Sequence, residues 1–214
     1  MPRSDPFGSV PIICMVTDRA AVGERALLGL IGTAARAGVD LIQIRERDLD
    51  AGALARLTRD AIDAVSGTAA RIVVNDRLDV ALAVGAAGAH LRGDGLPAAR
   101  ARTIAPPGFL IGRSVHSEDE AAEIEAAGGC DYLMFGTVFP SASKPADHAV
   151  AGLDALERVC ARVRIPVIAV GGITVSVAAD VRRAGAAGVA AIGAFKGSSD
   201  PARFVRAVRS SFDT

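Results

Sequence analysis

Val167-Ile168-Ala169-Val170-Gly171-Gly172-Ile173-Thr174 is the stretch from which the rest of the chain can be read. Four apolar, mostly β-branched residues run into two glycines, and an apolar pattern resumes after Thr174. This is the signature of a buried parallel strand that ends in a tight loop and hands over to a helix. Glycines in such a loop let backbone N–H groups approach an anion, and the start of the helix adds its positive dipole end. Val189-Ala190-Ala191-Ile192-Gly193-Ala194 repeats the pattern. A single Gly-Gly would read as a tight turn only. Two consecutive strand-to-glycine turns read as a phosphate cup made by Gly171, Gly172 and Gly193.

Working outward, strand-like runs fall at 12–17, 40–45, 71–74, 88–91, 110–113, 131–135, 166–170 and 188–192. Helical periodicity fills the gaps at 21–37, 51–66, 77–86, 97–105, 118–128, 150–163, 174–185 and 200–212. Such β/α alternation predicts a parallel sheet. Eight units in one chain close most naturally into a (β/α)8 TIM barrel, with a doubly wound sheet as the alternative. In a barrel the glycine cup lies after the seventh and eighth strands, where phosphate sites are found. Gly38, Gly85, Gly128 and Gly185 each follow a helical run and read as left-handed helix caps. The expected organisation is a flexible N-terminus at 1–10 and one barrel domain at 11–214.

Composition narrows the function. Half of the 214 residues are hydrophobic, only 4% are aromatic, and there is no Trp. An aliphatic core of this kind suits buried parallel strands, and the lack of aromatics argues against base-stacking platforms for nucleic acid. Lys+Arg and Asp+Glu both number 24. The chain has no basic tract to attract nucleic acid or an anionic membrane, and its near-zero charge permits self-association. Cys14, Cys130 and Cys160 are widely spaced, with no CxxC pair, and read as reduced packing residues of a cytoplasmic protein. No signal pattern opens the chain, and its apolar stretches are too short to span a bilayer.

A barrel carries its chemistry at the carboxyl ends of its strands. There the sequence places Arg45-Glu46-Arg47-Asp48, Asn75-Asp76-Arg77, Arg92-Gly93-Asp94, Ser114-Val115-His116-Ser117 and Gly136-Thr137, followed by a long loop with Ser141, Ser143 and Lys144. Arg45 and Arg47 share a face if the strand continues; they either grip a phosphate or carboxylate or pair with Glu46, Asp48 or Asp76. Asn75 and Asp76 suit a metal-bound diphosphate, or Asp76 caps the next helix. His116 is placed for neutral-pH acid/base work, or it helps to start the helix at Glu118. His90 reads as a satisfied barrel histidine. Ser114 with His116 lacks a third member for a hydrolase, and no zinc-ligand spacing occurs.

Gln43-Ile44-Arg45-Glu46-Arg47, Asn75-Asp76-Arg77, Gly112-Arg113-Ser114-Val115-His116-Ser117, Phe135-Gly136-Thr137-Val138-Phe139-Pro140 and the stretch from Ile168 to Thr174 together resemble the thiamine phosphate synthase / TenI family. The resemblance runs from about Ile12 to Gly197. It implies a (β/α)8 barrel, a homodimer, and one of two activities. The synthase joins hydroxymethylpyrimidine diphosphate to a thiazole phosphate, uses Mg²⁺, and releases diphosphate. The TenI type is a thiazole tautomerase that aromatises a thiazole carboxylate phosphate by proton transfer, without a metal.

By that resemblance Gln43 and Arg45 face the pyrimidine diphosphate, with Ser114 among the substrate contacts. Asn75 contacts the diphosphate and Asp76 holds Mg²⁺. Ser141, Ser143 and Lys144 match a Thr-x-Thr-Lys diphosphate loop, and the glycine cup holds the thiazole phosphate. Two positions depart from the synthase pattern. Arg47 stands where the synthase has lysine, and Gly95 falls where it has a second Mg²⁺ carboxylate, with Asp94 one residue early. Mg²⁺ tolerates such a slip poorly. Arg-Glu-Arg and Gly-Arg-Ser-Val-His-Ser match the TenI pattern, in which the histidine at the place of His116 is the acid/base. The sequence therefore ranks the tautomerase first, with His116 and Arg45 as catalytic residues and no cofactor. The Mg²⁺-dependent synthase comes second, and a non-catalytic sensor of phosphate ligands third.

Overall fold

Strands that alternate with helices must run parallel, and each must be buried on both faces. The computed structural model, which describes residues 7–8, 11–141, 149–196 and 200–213, has this arrangement. Eight strands are present: β1 Ile12–Val16, β2 Leu41–Ile44, β3 Arg71–Asn75, β4 Gly88–Leu91, β5 Leu110–Val115, β6 Tyr132–Phe135, β7 Val167–Val170 and β8 Gly188–Ala191. They close in sequence order, all parallel, with Ile13 of β1 against Val189 of β8. The expected (β/α)8 barrel is what the chain forms.

The outer layer is α1 Arg19–Val22, α2 Glu24–Arg36, α3 Ala51–Ala64, α4 Leu78–Val84, α5 Ala98–Arg102, α6 Glu118–Ala127, α7 Gly152–Arg162, α8 Ala178–Arg183 and α9 Pro201–Phe212. The single helix expected at 21–37 is two, because Gly23, at φ 78°, breaks the run. The helix expected from 174 starts as a 3₁₀ turn at Val175–Val177. Gly38, Gly85, Gly128 and Gly185 all have positive φ; Gly85, at φ 70° and ψ 30°, is the expected left-handed cap, whereas Gly128, at φ 73° and ψ −175°, ends its helix with an extended ψ.

Strand alternation sorts the core into two shells. Ile13, Met15, Ile42, Ile44, Val74 and Ile111 point outward under the helices. Ile12, Cys14, Val16, Leu41, Val73, Leu110 and Tyr132 fill the barrel interior. Tyr132 fits because its neighbour is Gly112, where any Cβ would collide with the phenol ring. Most of the stretch expected to be flexible at 1–10 lies outside the described residues. Phe7 packs edge-on against Tyr132, 5.8 Å between ring centroids, beneath the Arg71 guanidinium. The same alternation that buries these apolar residues turns Gln43, Asn75, His90 and Ser114 inward at the opposite end. No helix among the described residues is long and apolar enough to cross a membrane.

Candidate active site

The floor of the site is a polar layer inside the barrel. Gln43 Nε2 donates to Asn75 Oδ1 at 2.9 Å, joining β2 to β3. His90 is buried between Tyr132 and Ser114, with Nδ1 3.2 Å from the phenol oxygen and Nε2 2.9 Å from Ser114 Oγ. Burial, then the charges of Arg113 and Arg45, lower the His90 pKa to about 3. The ring is thus neutral near pH 7, one nitrogen donating and the other accepting, and it is the satisfied barrel histidine expected.

Above the floor, the β2 end owes its shape to Glu46. Thr17 Oγ1 donates to Glu46 Oε1 at 2.6 Å and accepts from Arg45 N at 2.9 Å. The Arg19 amide donates to both Glu46 oxygens at 3.0 and 3.1 Å. Burial pushes the Glu46 carboxyl up, against the pull of those hydrogen bonds. Asp48 is taken by Arg19, and Asp76 by Arg92. Every carboxylate that the sequence offered to Arg45 and Arg47 has another partner. Both arginines are without an ion pair among the described residues, so the rim salt bridge is corrected. Burial and then the like charge of Arg47 pull the half-buried Arg45 guanidinium below its ordinary pKa. Since β2 ends at Ile44, the two side chains do not extend along one strand face.

A cleft of about 190 Å³ opens beside this rim, lined by Glu46, Arg47, Asn75, Asp76, Arg77 and Arg92 among others. Asp76 does not cap α4; the cap position is Arg77, with no side-chain bond. Instead Asp76 has a left-handed backbone, φ 61°, a conformation Asp tolerates better than most residues. It turns its carboxylate toward Arg92, whose Nε lies 3.3 Å from Asp76 Oδ2 and 3.1 Å from Asp94 Oδ1. The Nε–H aligns with neither oxygen, so these are charge contacts rather than hydrogen bonds. Arg92 Nη2 does donate to Asp94 Oδ2, at 3.2 Å.

This arrangement does not fit Mg²⁺. A small hard cation needs oxygens converging at roughly 2.1 Å, whereas Asp76 and Asp94 converge on a guanidinium. Position 95 carries no side chain, and a Cβ there would lie 2.9 Å from Asp76 Oδ1. Among the described residues no three His, Cys, Asp or Glu side chains group to hold a metal. Asp76 and Asp94, expected as Mg²⁺ ligands only for the synthase, are bridged by Arg92.

His116 stands exposed just past β5. Its Nδ1 lies 2.6 Å from the Gly136 carbonyl, which only accepts, so Nδ1 carries the proton and Nε2 has no partner among the described residues. Glu120 Oε2 accepts the His116 amide at 2.8 Å and holds the backbone. At the cup, Gly171 and Gly172 have φ 98° and 64°, and a Cβ on Gly172 would run into Phe139 and Pro140. A side chain on Gly193 would meet open space. The amides of Gly172 and Gly193 donate to no carbonyl among the described residues. Ser141 is described and half-buried, while Ser143 and Lys144 lie outside the described residues.

Two positioning residues were missed by sequence reading. Glu46 is one. The other is Arg113, buried between β5 and the β4–α5 loop, whose Nη1 and Nη2 donate to the carbonyls of Leu96 and Gly93 at 2.7 and 2.6 Å. A charged residue inside the apolar run of β5 was the available signal for it.

Residues 13–195 match the family model described as thiamine monophosphate synthase. The thiamine-phosphate synthase of Roseiflexus castenholzii is 39% identical over 197 residues, covering 92% of this chain and 86% of that protein. The thiamine-phosphate synthase of Methanoculleus marisnigri is 42% identical over 195 residues, covering 91% and 92%. Among solved structures, a thiamine phosphate pyrophosphorylase from Pyrococcus furiosus superposes with a TM-score of 0.83 at 32% identity, covering 98% of this chain and 96% of that one.

Proposed function

The chain belongs to the thiamine monophosphate synthase family, enzymes of thiamine biosynthesis, and from that premise we propose that it is a thiamine-phosphate synthase acting on hydroxymethylpyrimidine diphosphate and a thiazole phosphate. The observation that carries this reading is the presence of two separate anion-competent regions on one rim. One is the arginine-rich cleft, with Arg45 beside it, at the ends of β2 to β4. The other is the pair of glycine turns after β7 and β8, where the amides of Gly172 and Gly193 donate to no carbonyl among the described residues. A joining reaction of two phosphorylated substrates needs two such regions. The names of relatives 39% and 42% identical support the same choice, and they reverse the order in which the sequence ranks the two activities.

In this reaction the bond between the pyrimidine methylene carbon and diphosphate oxygen breaks, and the electron pair leaves with the diphosphate. The lone pair of the thiazole nitrogen makes the new carbon–nitrogen bond. Arg45 and Arg47, whose guanidinium groups are not spent on carboxylates, receive the growing charge on the leaving group. Gln43, Asn75 and Ser114 present amide and hydroxyl groups to the pyrimidine from the floor. Gly171, Gly172 and Gly193 hold the thiazole phosphate.

One observation favours the tautomerase as a second reading. Making the carbon–nitrogen bond consumes no proton, yet His116 is oriented through Nδ1 by the Gly136 carbonyl, with Nε2 making no hydrogen bond among the described residues. The two readings separate in one assay. Purified protein with the pyrimidine diphosphate and thiazole phosphate, with and without Mg²⁺, should yield thiamine phosphate. Failure to do so, with aromatisation of the thiazole carboxylate tautomer by the same sample, would establish the tautomerase instead. Binding of both phosphates with turnover of neither would leave the sensor. We further place the enzyme in the cytoplasm as a homodimer, which sedimentation of the purified chain tests.

A further inference from the structure

The loop after β4 departs from a metal site in a directed way. Its sequence is Arg92-Gly93-Asp94-Gly95-Leu96. Arg113 fastens it through the carbonyls of Gly93 and Leu96. A Cβ on Gly93 would lie 2.9 Å from Glu120 Oε1, and one on Gly95 would lie 2.9 Å from Asp76 Oδ1 and 3.3 Å from the Arg92 carbonyl. With glycine at 95, the place beside the Asp76 carboxylate holds no second carboxylate. What the loop presents is Arg92, with Asp76 on one side and Asp94 on the other.

We propose that the Arg92 guanidinium is the resident cation of a diphosphate subsite in this cleft, so that diphosphate binds the chain through guanidinium groups and needs no divalent metal. The proposal rests on the synthase reading for the identity of the anion. A guanidinium offers five N–H donors in one plane. Among the described residues a single aligned hydrogen bond, to Asp94, uses that capacity. Nε makes no aligned bond although it is buried. The Nη1 donors can meet an anion in the cleft together with Arg47, which has no ion pair among the described residues, and Asn75. Paired planar donors match phosphate oxygens better than a point charge does. Asp76, less exposed than Asp94, orients the group from inside. Asp94, 78% exposed, is the partner that an incoming anion displaces.

The roles of Asp94 and Arg92 make the idea testable without turnover. Inorganic diphosphate is titrated calorimetrically into the full chain in EDTA and again in Mg²⁺. Binding is expected in EDTA and to change less than about threefold with Mg²⁺. Arg92→Gln should weaken it at least about tenfold, in line with a lost charge-assisted hydrogen bond. Asp94→Asn should leave it unchanged or tighten it, since it removes a competing negative charge. If Asp94 served a metal instead, Asp94→Asn would weaken binding, and wild-type binding would vanish in EDTA; either result overturns the proposal. So does unaltered binding by Arg92→Gln. Because Arg92 is 43% exposed and its loop is held by Arg113, the variant should melt like the wild type. If it does not fold, the EDTA comparison and Asp94→Asn still decide. Thiamine phosphate formation measured on the same samples separates the two ideas. Arg92-dependent binding in EDTA without product sinks the synthase reading alone, and product with diphosphate binding only in Mg²⁺ sinks the Arg92 proposal alone.

Discussion

Arg45 illustrates how a residue gains its role from what its neighbours do. Its sequence context offers Glu46, Asp48 and Asp76 as counterions, and the fold assigns each of them elsewhere: to Thr17 and the Arg19 amide, to the Arg19 side chain, and to Arg92. A half-buried cation with no counterion among the described residues is poised for an anionic ligand, because the ligand then relieves a desolvation penalty. Arg45→Met is expected to lower kcat/KM for the pyrimidine diphosphate by about 10- to 100-fold, with a fall in kcat, the worth of roughly 1.5–3 kcal/mol for a hydrogen bond to a charged group that strengthens as the leaving group departs. Steady-state rates at fixed thiazole phosphate check this. His116→Asn gives a complementary result at the same scale. A general base is worth about 10²–10⁴-fold, so under the synthase reading thiamine phosphate formation should fall less than tenfold, while a tautomerase would lose its turnover. Both substitutions lie on the rim and should leave the melting temperature unchanged.

At the scale of elements, the strands were legible and the loops between them were not. All eight strands fall within a residue or two of where hydrophobic runs place them, because a strand buried on both faces must be apolar along its length. The misplaced helix boundaries have local causes. Gly23 takes a positive φ and splits α1 from α2, and Thr174 leads into a 3₁₀ turn before α8. The β4–α5 loop shows what spacing cannot reveal. Its shape depends on Arg113, a residue of the next strand, whose guanidinium replaces solvent for the carbonyls of Gly93 and Leu96. Arg113→Met should lower global stability by about 2–4 kcal/mol, from the loss of buried charge-assisted bonds with their carbonyls left unpaired. It should also speed amide exchange at 92–96 while sparing the cup after β7. Denaturant titration and hydrogen exchange measure the two effects separately.

For the molecule as a whole, His90 links the barrel interior to pH. Its pKa falls to about 3 on folding, against about 6.5 in the unfolded chain. The folded state therefore binds fewer protons, and its stability from this group is fully present above the unfolded value. It is lost as pH drops, at about 1.4 kcal/mol per unit through the window down to pH 3. His90→Gln should flatten that part of the stability–pH curve, at some cost in stability at pH 7. Urea denaturation between pH 4 and 7 checks it; a wild-type slope unchanged by the substitution would mean that the ring is not held neutral.

Sequence by itself determined the barrel, the rim on which chemistry sits, and the membership in a family, because periodicity and motif order are local properties of a chain and survive without coordinates. It also favoured His90 as a satisfied barrel histidine over a ligand, since it ends an apolar strand; which face it takes was decided by the register that puts it against Tyr132 and Ser114. Tertiary structure alone decided which carboxylate answers which arginine. Glu46, Asp48 and Asp76 are all within reach of Arg45 and Arg47 on paper, but hydrogen-bond direction and burial assign them to partners just past β1, at the start of α1 and just past β4. The same holds for the metal question. Gly95 signalled a missing ligand, yet only the folded loops put the Arg92 guanidinium between Asp76 and Asp94, because charge pairing is set by distances across strands that no spacing along the chain encodes.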